Sequence, residues 1–118
     1  MFSVAMMALT RPERTLRARL LADAGECLRL RPPYNPHIFV DMIDRHGPIE
    51  ACRRVIMEKP AHQAPSGYGQ LWERGRLDLT AEVTVLQPEW AELFEPAVLE
   101  RAEARLKRCG WDPPDHGN

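Results

Sequence analysis

The stretch from Ile38 to Ile56, IFVDMIDRHGPIEACRRVI, decides the fold class. Apolar residues recur three or four positions apart on both sides of Gly47 and Pro48, which is the spacing of one helix face. Glycine readily ends a helix, and proline is well accommodated in the first turn of the next one. The stretch therefore predicts two short helices that meet almost without a loop, each with one face to bury.

Helical patterns extend outward from this hairpin in both directions. Upstream, Thr10-Arg11-Pro12-Glu13 has the spacing of a capping box and predicts the start of a first helix. Downstream, short apolar stripes alternate with glycine and proline. The β-branched run Val83–Val85 favours a strand locally, but the helical spacing of Leu79, Val83 and Leu86 favours a helix capped by Asp78 or Thr80. We predict an all-α fold, a compact bundle of about six short helices in a single domain.

The length of 118 residues fits one domain. We divide the chain into an apolar N-terminal segment (1–9), a helical domain (10–111) and a disordered tail (112–118). The loop 59–65, KPAHQAP, contains two prolines and no apolar periodicity. This loop is expected to join the halves 10–58 and 66–111 of the helical domain.

Composition excludes several classes of protein. The formal net charge of -1 argues against a non-specific nucleic-acid binder. The apolar start lacks a basic leader and is far shorter than the roughly 20 residues that span a bilayer. Cys27, Cys52 and Cys109 are odd in number and widely spaced, which fits neither a disulfide framework nor a zinc site. We expect reduced thiols, a cytoplasmic location and no membrane association.

Catalytic motifs are absent from the sequence. His37, Asp41 and Asp44 share one helix face at spacings of four and three, which is compatible with a metal site. A solvated polar face is the favoured interpretation, because a usable metal site normally draws ligands from more than one element. We therefore expect no catalytic residues, no metal, no cofactor and no enzymatic activity.

Charge is distributed unevenly along the chain. Residues 1–31 contain six arginines and three acidic residues, whereas residues 78–100 contain six acidic residues and no lysine or arginine. The acidic run either pairs with the arginine-rich first helix or forms a surface that docks onto a basic protein. On the second interpretation, the candidate partner-binding residues are Asp78, Glu82, Glu89, Glu92, Glu95 and Trp90.

These observations predict a non-enzymatic helical module for protein–protein interaction. Its partner would be another protein, in one version a bacterial protein that handles nucleic acid. The module would then act as a regulator, or as an inhibitor carried by a mobile element. A homo-oligomer is also compatible with the sequence.

The alternative is a DNA-binding regulator of the helix-turn-helix type, because the two helices that meet at Gly47 have that outline. Arg45, Arg53 and Arg54 are its candidate DNA-binding residues. Acidic residues balance these arginines locally, and Pro48-Ile49-Glu50 would be poor readers of bases.

Residues 71–94, LWERGRLDLTAEVTVLQPEWAELF, resemble a block found in a family of small bacterial all-helical proteins of unknown function. The segment 46–56, HGPIEACRRVI, is similar to the hairpin upstream of that block. The resemblance covers about the last two-thirds of the chain, and the arginine-rich first helix lies outside it. It implies no activity and no catalytic residues.

Overall fold

The computed structural model describes residues 9–110, and this part of the chain is helical without strands, which confirms the predicted all-α bundle. A 3-10 turn at Leu77–Leu79 precedes the fifth helix. The seven α-helices of the described residues are α1 (Arg11–Cys27), α2 (His37–His46), α3 (Pro48–Met57), α4 (Ser66–Glu73), α5 (Ala81–Val85), α6 (Pro88–Ala91) and α7 (Pro96–Arg108). The predicted tail 112–118 and most of the apolar segment 1–9 lie outside the described residues.

Two threonines fix the starts of α1 and α5. The hydroxyl of Thr10 accepts the backbone N–H of Glu13 at 3.3 Å, and the Glu13 carboxylate accepts the backbone N–H of Thr10 at 3.4 Å. This confirms the capping box. The hydroxyl of Thr80 accepts the backbone N–H of Val83 at 3.2 Å. The β-branched run Val83–Val85 is therefore helical, as its spacing predicts.

Gly47 joins α2 to α3 with one residue. Its φ of 86° and ψ of 164° lie in a region that L side chains rarely adopt. Its N–H donates to the carbonyl of Ile43 at 2.9 Å and its carbonyl accepts the N–H of Ala51 at 3.1 Å, so it closes one helix and opens the next. The sharp junction places α3 at the centre of the bundle, in contact with α1, α2, α5 and α7.

One apolar core connects the two halves of the helical domain. Two smaller clusters, around Tyr68 and around Cys27, flank it. The residues of the main core are Leu16, Leu20, Ile43, Ala51, Cys52, Ile56, Ala81, Val85, Trp90, Phe94, Val98 and Ala102. Because each half supplies part of this core, neither half could bury its own apolar faces alone.

A buried ion pair crosses the core between α7 and α5. Arg105 is 1% exposed and Glu82 is 3% exposed. The guanidinium of Arg105 donates to the Glu82 carboxylate at 2.8 Å. Burial raises the pKa of Glu82, and the charge of Arg105 offsets part of that rise. Each of the two buried charges is therefore stabilised in the interior by the other.

The same guanidinium holds the loop 59–65 against the bundle. Its remaining N–H groups donate to four backbone carbonyls, at 2.7 to 3.3 Å, on Ile56, Lys59, Pro60 and Gln63. Arg101, one turn earlier on α7, donates to the carbonyls of Met57 and Lys59 at 3.3 and 2.9 Å. The two arginines thus donate to the carbonyls of Ile56 and Met57, which the end of α3 leaves without helical partners, and to carbonyls of the loop that follows.

We predict that Arg105→Met lowers the free energy of unfolding by about 3–5 kcal/mol, because it leaves the buried Glu82 carboxylate without its counter-charge and removes four hydrogen bonds to backbone carbonyls. Urea unfolding followed by circular dichroism measures the change. The control is Lys107→Met, which removes an exposed pair with Glu103 and should cost less than about 1 kcal/mol. Equal losses in the two variants would contradict a structural role for Arg105.

Candidate acidic interaction surface

The segment that runs from α6 into the following turn has two different faces. Trp90 and Phe94 lie four positions apart and are both buried, at 5% and 7% exposure. Glu89, Glu92 and Glu95 recur every third position and are all exposed. The N–H groups of residues 93 and 94 donate to carbonyls three positions earlier, so the coil continues beyond α6. We call Glu89, Glu92 and Glu95 the acidic surface.

Trp90 anchors this segment to α1. Its indole N–H donates to the hydroxyl of Thr15 at 3.0 Å, and the guanidinium carbon of Arg19 lies 6.0 Å from the ring centroid. The prediction that Trp90 contacts a partner is therefore wrong, because this side chain is a core residue. Its role is to hold the acidic surface in place.

Glu82 is also absent from the acidic surface, which corrects the sequence prediction. All five residues of α5 are buried, so this helix has no solvent-facing side for a carboxylate. The side chain of Glu82 points instead to Arg105. Glu82 is therefore buried although it belongs to the acidic run 78–100 of the sequence.

Asp78 is exposed but already has a partner. Its carboxylate accepts two hydrogen bonds from the guanidinium of Arg76, at 3.0 and 3.1 Å. It lies in the 3-10 turn before α5, whereas the acidic surface follows α5. Of the six predicted partner-binding residues, Glu89, Glu92 and Glu95 remain together as an exposed set.

These three carboxylates are not neutralised by the arginine-rich helix. Within residues 9–110, no ion pair involves Glu89, Glu92 or Glu95. Arg19 of α1, which lies over the Trp90 ring, pairs with Asp23 of its own helix at 3.1 Å. The described structure therefore does not show the first interpretation, pairing with α1, for these three residues, and Glu95 instead lies close enough to Arg53 of α3 for their charges to interact.

The three arginines of the DNA-binding alternative are all paired. Arg45 lies 2.9 Å from Asp41. Arg53 and Arg54 share the carboxylate of Glu50, each at 2.7 Å. These pairs reduce the positive charge available for phosphate.

Other residues singled out in the sequence form no site in the described part of the chain. Among these residues, no group of three or more His, Cys, Asp or Glu side chains is placed to hold a metal, so His37, Asp41 and Asp44 do not form such a group.

Burial raises the pKa of Cys27 to about 11, and it also raises the pKa of the fully buried Cys52. No helix in residues 9–110 is long and apolar enough to cross a membrane.

The sequence did not reveal which tryptophan is exposed. Trp72 on α4 is 54% exposed, while Trp90 is buried. The burial of Arg105 was also not predicted from the sequence, although the position of this residue on α7 indicated it. This arginine lies three positions after Ala102 and seven after Val98, on the apolar stripe of α7.

Comparison with known proteins adds no relative to this picture. No protein-family model, no curated protein and no solved structure matches the chain. The resemblance of residues 71–94 to a family of unknown function therefore stays a prediction.

The cluster of Glu50, Arg53 and Arg54 predicts a pH dependence of stability. Hydrogen bonds from the two arginines lower the pKa of Glu50 from 4.5 to about 2. A carboxylate with a lower pKa in the folded state stabilises the fold above its unfolded pKa, and this contribution is lost as the pH falls from 4.5 towards about 2. Because the side chains of this cluster are partly exposed, we expect it to contribute about 1 kcal/mol or less to the free energy of unfolding.

Urea unfolding of wild type and Glu50→Gln, from neutral pH down to the acid range in which Glu50 titrates, measures the contribution. Glu50→Gln should be less stable at neutral pH and should approach wild type in acid. The control is Glu58→Gln, an exposed glutamate just after the same helix. Parallel pH profiles for wild type and Glu50→Gln would show that the cluster contributes nothing.

Proposed function

We propose that the chain is a non-enzymatic protein-interaction module whose acidic surface binds a basic surface of another protein. The observation that carries this proposal is the combination of exposed Glu89, Glu92 and Glu95 with buried Trp90 and Phe94 on one short segment. The carboxylates have no ion-pair partner within residues 9–110. The segment thus presents negative charge from a fixed backbone.

Charge defines the kind of partner. Three carboxylates on adjacent turns attract lysine and arginine and repel phosphate, so nucleic acid itself is a poor ligand for this surface. A protein that binds nucleic acid offers the matching surface, because its binding face is positively charged. Since the acidic segment is already ordered by its core contacts, little conformational entropy is lost on binding.

A finer form of the proposal follows from this charge. The module would act as a regulator, or as an inhibitor carried by a mobile element, by occupying the nucleic-acid site of a bacterial protein in the cytoplasm. The DNA-binding alternative would use Arg45, Arg53 and Arg54 near Gly47, and it has less support because each of these arginines is paired with a carboxylate. The two proposals differ in what the protein should capture, protein or duplex DNA.

Affinity capture from a lysate of the source organism, with protein and nucleic acid both analysed, tests the proposal. We expect the full chain to retain a basic protein that moderate salt releases. The variant Glu89→Lys, Glu92→Lys, Glu95→Lys should lower the affinity for the purified partner at least about tenfold, because it turns attraction into repulsion.

The matched control is Glu58→Lys, Glu73→Lys, Glu103→Lys, which makes the same change in net charge at three exposed positions elsewhere. It should bind the partner within about twofold of wild type if the location of the charge matters. Equal binding by both triple variants at low salt would rule out the acidic surface. Recovery of duplex DNA without a protein would support the helix-turn-helix alternative.

A further inference from the structure

An open groove separates α1 from α2 on a part of the molecule that the acidic surface does not use. Its apolar lining includes Leu21, Ala24 and Val40. The chain leaves α1 at Leu28 and re-enters α2 at His37, so both residues line one end of the groove. The groove therefore has an apolar floor and two distinguishable ends.

Large apolar side chains are exposed to solvent at this groove, whereas a folded domain normally buries such side chains. Leu28, which lines the groove, is 52% exposed, and Ile38, which lies beside the groove next to His37, is 68% exposed. With Trp72 on α4 they are the large exposed apolar side chains of residues 9–110. Two of the three thus lie at the same end of α1 and α2, which marks this region as a contact surface.

Opposite charges stand on the two walls of the groove. Arg17 on α1 and Asp44 on α2 both line it. Within residues 9–110, neither forms an ion pair. One wall therefore offers a cation and the other an anion, with apolar surface between them. Such a surface is complementary to itself.

We propose that a second copy of this chain covers the groove, related by a two-fold axis that runs along it. Rotation about that axis exchanges the two walls and keeps the ends in place. It lays α1 of one copy over α2 of the other, with Arg17 opposite the partner's Asp44 in both directions. The four helices then enclose the apolar floors of both grooves, as in a four-helix bundle.

Sedimentation velocity of the full chain tests this arrangement. We expect a concentration-dependent species of twice the 13.5 kDa chain mass. Leu28→Glu should shift the protein to monomer with an unchanged helical circular dichroism spectrum. Trp72→Glu is the control, because it makes the same change at an exposed apolar residue on α4, outside the groove. This control should remain dimeric.

Charge reversal tests the orientation of the two copies. Arg17→Asp and Asp44→Arg should each weaken the dimer about tenfold, because each brings like charges together twice. A mixture of the two variants should restore the dimer, since each introduced charge then faces an opposite charge on the other copy. Arg11→Asp, an exposed reversal at the start of α1, should leave the dimer unchanged.

Two results would overturn the proposal. A protein that stays monomeric at all concentrations would assign the groove to a different chain or to residues 1–8. A dimer that survives Leu28→Glu and both charge reversals would place the interface elsewhere. The triple variant of the acidic surface should sediment like wild type, so failure of the dimer and failure of the proposed function are distinguishable.

Discussion

The buried guanidinium of Arg105 is the group on which the rest of the structure depends. Each of its five N–H groups has an acceptor, one on Glu82 and four on backbone carbonyls. An arginine is tolerated in a core only when its donors are satisfied in this way. Its contacts join α7, α5, the end of α3 and the loop 59–65. The connection between the halves of the domain is therefore a fixed part of the bundle.

This network also decides where the acidic residues can go. Pairing with Arg105 draws Glu82 inward and lets the whole of α5 be buried. The chain then leaves the core at Gln87 and is drawn back to it by Trp90 and Phe94. Glu89, Glu92 and Glu95, which flank these two buried residues, face solvent. One physical arrangement therefore explains both the buried carboxylate and the exposed ones.

Local patterns were enough to predict the helices but not the faces of the shortest ones. The capping box at Thr10 and the spacing around Gly47 each depend on neighbours within four positions, and the structure has both. The environment of Glu82 depends on a residue 23 positions away. A five-residue helix is also too short to show a periodic polar face. The prediction for Glu82 failed for that reason. The prediction for Trp90 failed because its hydrogen-bond partner, Thr15, lies 75 positions away in the sequence.

The groove could not be predicted from the sequence for a different reason. Apolar residues such as Leu21 and Leu28 lie on a helical stripe that predicts burial against the same chain. How closely α1 and α2 approach depends on their common contacts with the central helix α3, which the sequence does not give. An exposed Leu28 is therefore visible only in the folded molecule.

The acidic surface and the groove lie on different sides of α1. Thr15, which accepts the hydrogen bond from Trp90, and Arg17, which lines the groove, are two residues apart and so about 200° apart around the helix. A copy bound in the groove would not cover the acidic surface. A dimer would instead display that surface twice, and binding to a partner with two basic sites would gain from the high effective concentration of the second contact. On this view, self-association strengthens a weak electrostatic contact without adding any new contact to it.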